Sequence, residues 1–382
     1  MTDLRALTNA TAAVDPPLAA LDLAALDENA ADLVRRAGGT RVRVASKSVR
    51  CRWVLERVLA RPGFHGVMAY SLREAVWLAR GGVSDVLMGY PSVDRGALAE
   101  LADPAVAAVV TLMIDDPAQV RLVQECAPGV PVRVCLDIDA SLRIGRLHLG
   151  VRRSPIRTPD QAVALAAAAD AGGLRVAGVM FYEAQIAGLQ DTSAGVRLMK
   201  KRSAAELSGR RRSVVQAVEK TVGALEIVNS GGSGSLEVSS ADECVTEVSA
   251  GSGLYVPGLF DQYDSFEPRP SLYFAVSVVR RPAPDIATLF GGGYIASGPA
   301  GKNRLPRPAT DGLELLGTEG AGEVQTPVRG DAARGLQIGD RVWFRHAKAG
   351  ELCERFELIH VVEGGALAES VPTYRGEGQT FG

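Results

Sequence analysis

Lys47 and two serine- and glycine-rich turns are the residues of this chain whose types and spacing could do chemistry. Lys47 follows an apolar β-pattern over residues 42–45, where a strand would emerge from a core. Partial desolvation there disfavours the charged amine and makes it a nucleophile toward an aldehyde. Taken singly, Lys47 reads as a surface lysine beyond a strand, and the rest of the chain has to shift that reading. The turns are VNSGGSGS at residues 228–235 and SAGSGLY at residues 249–255. Glycine lets backbone N–H groups approach an anion and serine adds hydroxyl donors, so the pair reads as a phosphate cradle rather than two flexible loops.

These residues need elements to position them. Eight short β-rich runs occupy residues 41–46, 64–70, 84–89, 106–113, 132–138, 176–182, 225–229 and 244–249. Segments with helical spacing fall between them, including 71–80, 117–126 and 159–171. Such alternation demands a parallel sheet, because parallel neighbours need crossover connections. Eight repeats in this length favour an α/β fold of the closed (β/α)8 TIM-type barrel over the alternative, a doubly wound open sheet. Lys47 then lies after strand one and the turns after strands seven and eight, at one face of one barrel. Loops after strands seven and eight of such barrels commonly bind phosphate. Beyond about residue 270 the texture changes to SLYFAVSVVRRPAP, a GGG turn, prolines, Gly339-Asp340, and the short β-patterns RVWFRH and FELIHVVEGG. The expected division is a barrel over residues 25–270 and an all-β domain over 271–382, with residues 1–24 outside the barrel count and available to the β-domain.

Composition supports an ordinary soluble enzyme: 382 residues suggest two domains, and 47% hydrophobic content supplies a large core. No apolar run approaches the roughly 20 residues of a membrane helix, and the N-terminus lacks a basic start with an apolar signal core. The expected location is cytoplasmic. Five cysteines without a CxxC pair indicate neither a disulfide framework nor a zinc ribbon, and Cys135 reads as a buried small hydrophobe. The basic stretch at residues 199–213 sits in a chain of net charge -2, so it reads as a solvated helix face, or a lid or partner surface, rather than a nucleic-acid site.

An amine and a phosphate grip at one barrel mouth together suit pyridoxal 5'-phosphate (PLP), whose aldehyde condenses with lysine and whose ring withdraws electrons from a substrate α-carbon. At this point the order of lysine, barrel and β-domain resembles the fold-type III PLP enzymes, which include alanine racemase, D-threonine aldolase and D-serine dehydratase. Local stretches are similar to the aldolase and dehydratase branch: HGVMAYSLREAVWLA, SDVLMGYP, LDIDASLRIG, VMFYEAQ, LQIGDRVWFRHAK and PTYRGEG.

The resemblance implies Lys47 as the Schiff-base lysine; Ser230, Gly251 and Ser252 as phosphate ligands, with Gly231 and Gly232 allowing close approach; and Tyr182 as a ring- or substrate-contacting side chain. It implies Arg143 near the cofactor's phenolic oxygen, with Arg146 and His148 as rivals because the spacing is one residue short. It also implies a divalent cation held by His346 and a Cys or Asp two residues later. Lys348 stands there instead, and an ammonium has no lone pair for a metal. Cys353 and His360 are alternative donors without the family spacing, and the metal is left open. The expectation is that Lys348 takes over part of the cation's electrostatic role beside His346. The implied activity is a lyase acting on D-configured β-hydroxy amino acids in a homodimer. His346 as base gives aldol-type Cα–Cβ cleavage. Alternatives are dehydration to a keto acid and ammonia, racemisation with a second acid/base such as Tyr294, and a non-enzymatic PLP carrier.

Overall fold

The computed structural model describes residues 2–264, 267 and 269–382. Eight parallel strands close into a barrel: β1 (Arg41–Ala45), β2 (Phe64–Ala69), β3 (Val86–Met88), β4 (Val110–Ile114), β5 (Arg133–Ile138), β6 (Arg175–Phe181), β7 (Ile227–Ser230) and β8 (Glu247–Ala250). They neighbour one another in chain order, and Val248 of β8 lies opposite Val42 of β1 to close the ring. The run at 106–113 divides where a single strand was expected. Pro104–Val109 is helical, with Asp103 accepting from the amide of Ala105, and the strand starts at Val110. Asp-Pro is a helix-start signal, whereas an apolar run this short carries no period that separates helix from strand.

Leu87, Met113, Cys135, Met180 and Ile227 form one buried cluster. Each comes from a different strand of β3 to β7, so all five face the barrel axis. Burial pushes the Cys135 thiol well above its ordinary value, as expected for an inert filler. Side chains alternate along a barrel strand, so Asp115, Asp137 and Tyr182, each two residues further on, face the C-terminal mouth. Phe181, Glu183 and Ser230 face the helix layer. The helix Ala194–Val222 buries Leu207, Arg211, Val214 and Val218 on one face, at spacings of three and four residues.

A second compact unit holds a nine-stranded, largely antiparallel sheet. The N-terminal strand Leu18–Asp22 lies inside it, antiparallel to Leu272–Ala283, with Ala20 opposite Tyr273, and parallel to Leu358–Glu363, with Ala19 opposite Ile359. Its core gathers Leu7, Leu18, Ala20, Tyr273, Ala275, Trp343 and Val362. The same unit takes in residues Lys47–Glu56. Among the described residues no helix is long and apolar enough to cross a membrane.

Candidate active site

Lys47 is the middle residue of a single 3-10 turn, Ser46–Ser48, directly after β1, and it is half-buried. Its backbone is held firmly. Arg50 Nε donates to the Lys47 carbonyl at 3.2 Å. A Cβ at Gly350 would lie 2.0 Å from that same carbonyl oxygen, and Gly350 has φ +85, so only glycine fits there. Tyr255 Oη and Cys353 Sγ both donate to the carbonyl of Val49, at 3.1 and 3.3 Å. Ser252 has its hydroxyl 3.0 Å from that of Ser48.

The turn after β7 is equally well tied. The carbonyl of Gly232 accepts from the Ser235 amide at 2.9 Å, and that of Ser233 accepts from Arg36 Nη2 at 2.9 Å. Engaging these carbonyls within the protein removes the negative ends of two peptide dipoles from an approaching anion. Gly231 has φ +87, and a Cβ at Gly232 would lie 2.9 Å from that of Ala187. A donor set of amides and hydroxyls on a glycine turn at a strand end fits a phosphate. Ser230 and Gly231 are engaged differently from the phosphate-ligand expectation. Ser230 Oγ lies 2.8 Å from Glu183 Oε2 and 2.9 Å from the Phe181 carbonyl, and it accepts from Arg211 Nη2 at 2.8 Å. The Gly231 amide donates to Glu183 at 3.2 Å. Gly251 is buried at the end of β8.

At the mouth, the Arg153 guanidinium stands 5.0 Å from the centroid of the Tyr182 ring and 5.3 Å from that of Tyr90. The cation brought to Tyr182 is therefore Arg153. Arg143 lies on the hairpin Leu142–Ile144 and Leu147–Leu149, is largely exposed, and bonds Asp139 at 2.6 Å. Arg146 is exposed at the hairpin's turn, and His148 Nε2 lies 3.2 Å from the Val151 carbonyl. Asp137, buried nearby, has its carboxyl pushed up to about 7 by burial first and then by the charge of Asp115, while Arg153 pulls it down only in part. Asp137, Arg153, Glu183 and Arg211 are not among the residues expected from sequence. Register was the available signal for Asp137, an acid on the inward face of a barrel strand. Arg211 carried one too, an arginine within the stripe Leu207, Val214 and Val218. Arg153, in a loop after a hairpin, carried none.

In the β-unit His346 is fully buried, and neither ring nitrogen has a side-chain hydrogen-bond partner among the described residues. Burial, then the charge of Arg345, push its pKa down to about 3, so the ring is neutral. It lines a cavity with Tyr294, Lys348, Glu351 and Arg355. Lys348 Nζ pairs with Glu351 at 2.9 Å and donates to Ser297 Oγ. Among the described residues no group of three or more His, Cys, Asp or Glu could hold a metal ion. Cys353 serves Val49, and His360 Nδ1 lies 2.8 Å from Ser370 Oγ. One imidazole beside an ion-paired ammonium does not make the donor set of a divalent cation.

Comparison with known proteins agrees with this geometry. A D-threonine aldolase of Arthrobacter sp is 26% identical over 293 residues, 74% of this chain and 72% of that protein. The crystal structure of D-threonine aldolase from Filomicrobium marinum superposes with a TM-score of 0.81 at 23% identity, covering 95% of this chain and 96% of the other. D-threo-3-hydroxyaspartate dehydratase from Delftia sp. HT23 superposes with a TM-score of 0.75 at 19% identity, covering 94% and 97%. Residues 21–257, which carry Lys47, the barrel and both turns, match the family described as alanine racemase, N-terminal domain, and the chain belongs to that family of fold-type III PLP enzymes.

Proposed function

We propose that this protein is a PLP-dependent lyase that cleaves, or forms, the Cα–Cβ bond of D-configured β-hydroxy amino acids in the manner of an aldolase. The observation that carries the choice is His346, a buried neutral imidazole beside a cavity, with no side-chain partner on either nitrogen. Bound PLP supplies an aldehyde for a lysine and a ring that accepts the electrons of the bond being broken. Lys47 presents its amine from a clamped turn, so its backbone needs no reordering when it reacts. The donors of the turns at 230–235 and 249–252 that are not taken up by Glu183 hold the phosphate, and Arg153, beside Tyr90 and Tyr182, takes the place near the cofactor's phenolic oxygen that the resemblance gave to Arg143. His346 accepts the proton of the β-hydroxyl; its neutral state leaves a lone pair available near pH 7. Lys348, ion-paired to Glu351, tunes the field around it. The same proposal includes a cytoplasmic homodimer, for which sedimentation of the purified protein gives the oligomeric state.

The deciding experiment incubates the holoprotein with D-threonine. Acetaldehyde and glycine in equal amounts are expected. 2-Oxobutanoate and ammonia would make it a dehydratase, the activity named for the Delftia relative. L-allo-Threonine, the product of inversion at Cα alone, would make it a racemase, and bound PLP without product would make it a carrier. Lys47→Ala should abolish both turnover and the yellow imine absorbance, and His346→Ala should abolish turnover while keeping the colour.

A further inference from the structure

We infer that Glu183 and Arg211 form a buried charged brace on the helix side of the phosphate turn, and that this brace sets the chain's affinity for the phosphate of its cofactor. The inference rests on the PLP reading above and concerns positioning residues rather than groups that touch a substrate.

Glu183, Arg211 and Asp242 are 1%, 3% and 8% exposed. Charged side chains reach such depth only when paired and hydrogen-bonded, because removing an ion from water is costly. The compensation here comes almost entirely from one stretch of chain, residues 230–242. Glu183 Oε2 accepts from Ser230 Oγ at 2.8 Å and from the Gly231 amide at 3.2 Å. Glu183 Oε1 accepts from Ser239 Oγ and, at 3.4 Å, from Ser235 Oγ. Arg211 reaches in from the long helix, pairs with Asp242, donates to Ser230 Oγ at 2.8 Å and lies 5.3 Å from the centroid of the Phe181 ring. One carboxylate at the end of β6 thus fastens both ends of the 230–239 segment, and one guanidinium locks its first hydroxyl.

Strand alternation places these groups outside the barrel wall, behind the turn rather than in the mouth. Charge-assisted bonds of this kind are the stronger class, and four of them converge on Glu183. Ser230 and Gly231 therefore serve the protein, and the phosphate is left to the remaining turn donors. A turn already held in its binding shape loses little freedom when the anion arrives, and affinity gains accordingly. The basic stretch that reads as a solvated face in the sequence contributes its one buried arginine to this grip.

The test uses full-length protein freed of cofactor and compares binding of PLP with binding of pyridoxal, which keeps the aldehyde and lacks the phosphate. Wild type, Glu183→Ala, Glu183→Gln, Arg211→Lys and Arg211→Met are titrated by imine absorbance, with circular dichroism reporting the fold. Glu183→Ala and Arg211→Met should weaken PLP binding roughly tenfold to a hundredfold, with pyridoxal binding unchanged. Arg211→Lys should recover only part of the loss, since an ammonium lacks the fork that reaches Asp242 and Ser230 together. Where Arg211→Met fails to fold, the paired change Arg211→Met with Asp242→Leu removes the ion pair without stranding a charge. Equal loss of PLP and pyridoxal, no loss of PLP, or tighter PLP binding in Glu183→Gln would each overturn the brace while leaving the function standing. A wild type that takes up neither compound would overturn the PLP reading and the brace with it.

Discussion

The two ends of the barrel handle charge in opposite ways. At the N-terminal end Arg43 is fully buried and makes two bonds to Glu247, at 2.7 and 2.8 Å, and two to Asp85, at 2.8 and 3.1 Å. His65 Nε2 lies 2.8 Å from Asp85, and Asn229 donates to Glu247 at 2.8 Å. Burial pulls the Arg43 guanidinium down, but Glu247 and Asp85 more than offset this and hold it above its ordinary value. Burial likewise pushes the Asp85 carboxyl up, and the bonds from His65 and Arg43 outweigh it, leaving it well below the usual range. At the C-terminal end Asp137 has Asp115 as a like-charged neighbour, and its carboxyl rises to about 7. One architecture makes an ion-paired plug at one mouth and a proton-holding carboxyl at the other. Matched charges stabilise a fold, and poorly matched ones are poised for reaction, in keeping with the division of labour between the two faces of such barrels.

The largest effect expected from this contrast lies at the plug. Arg43→Met strands Glu247 and Asp85 in the interior and should destabilise the chain by about 3–5 kcal/mol in urea unfolding, with the folded fraction keeping its turnover number. Loss of turnover without loss of stability would erase the contrast. Asp137→Asn should act in the opposite direction. A carboxyl whose folded pKa is raised binds its proton more tightly when folded, so wild-type stability falls as pH rises from about 4 to about 7. The variant should therefore be more stable than wild type at pH 8, by on the order of 2 kcal/mol, and indistinguishable from it below pH 4. Its rate profile should also lose an inflection near 7. Equal stability at both pH values would show Asp137 to be as well matched as Asp85. Arg73→Ala breaks an exposed pair with Asp94 and should leave the melting temperature unchanged within error.

Much of the fold was legible because each barrel strand is a short Val-rich run bounded by turn residues. Pro117–Cys126 and Pro159–Ala171 likewise carry Asp-Pro and Thr-Pro starts that the structure turns into capped helices. Residues 106–109 were misread because an apolar run with no polar interruption has no phase. In the proposed site, Lys47 and the two glycine turns stand out because their chemistry is carried by residue type and nearby sequence. Asp137 and Glu183 take their meaning from register, which decides whether an acid faces the mouth or the helix layer. Arg153 depends on where a loop returns, and it meets Tyr90 and Tyr182 through tertiary geometry alone. Ser230 shows the converse: a residue of the expected type in the expected turn, whose hydroxyl is engaged by a carboxylate and a guanidinium distant in sequence.

The strand Leu18–Asp22 has a consequence for how the chain is made. It leaves the ribosome before any barrel strand, yet Leu272–Ala283 and Leu358–Glu363, the strands on its two sides, are synthesised after the entire barrel. The barrel can close while this apolar ribbon waits with both edges unpaired, the condition in which strands recruit the wrong neighbours. The β-sheet is therefore the slow and vulnerable half of biogenesis, and a nascent chain stalled before residue 358 would carry a finished barrel and an open invitation to aggregate.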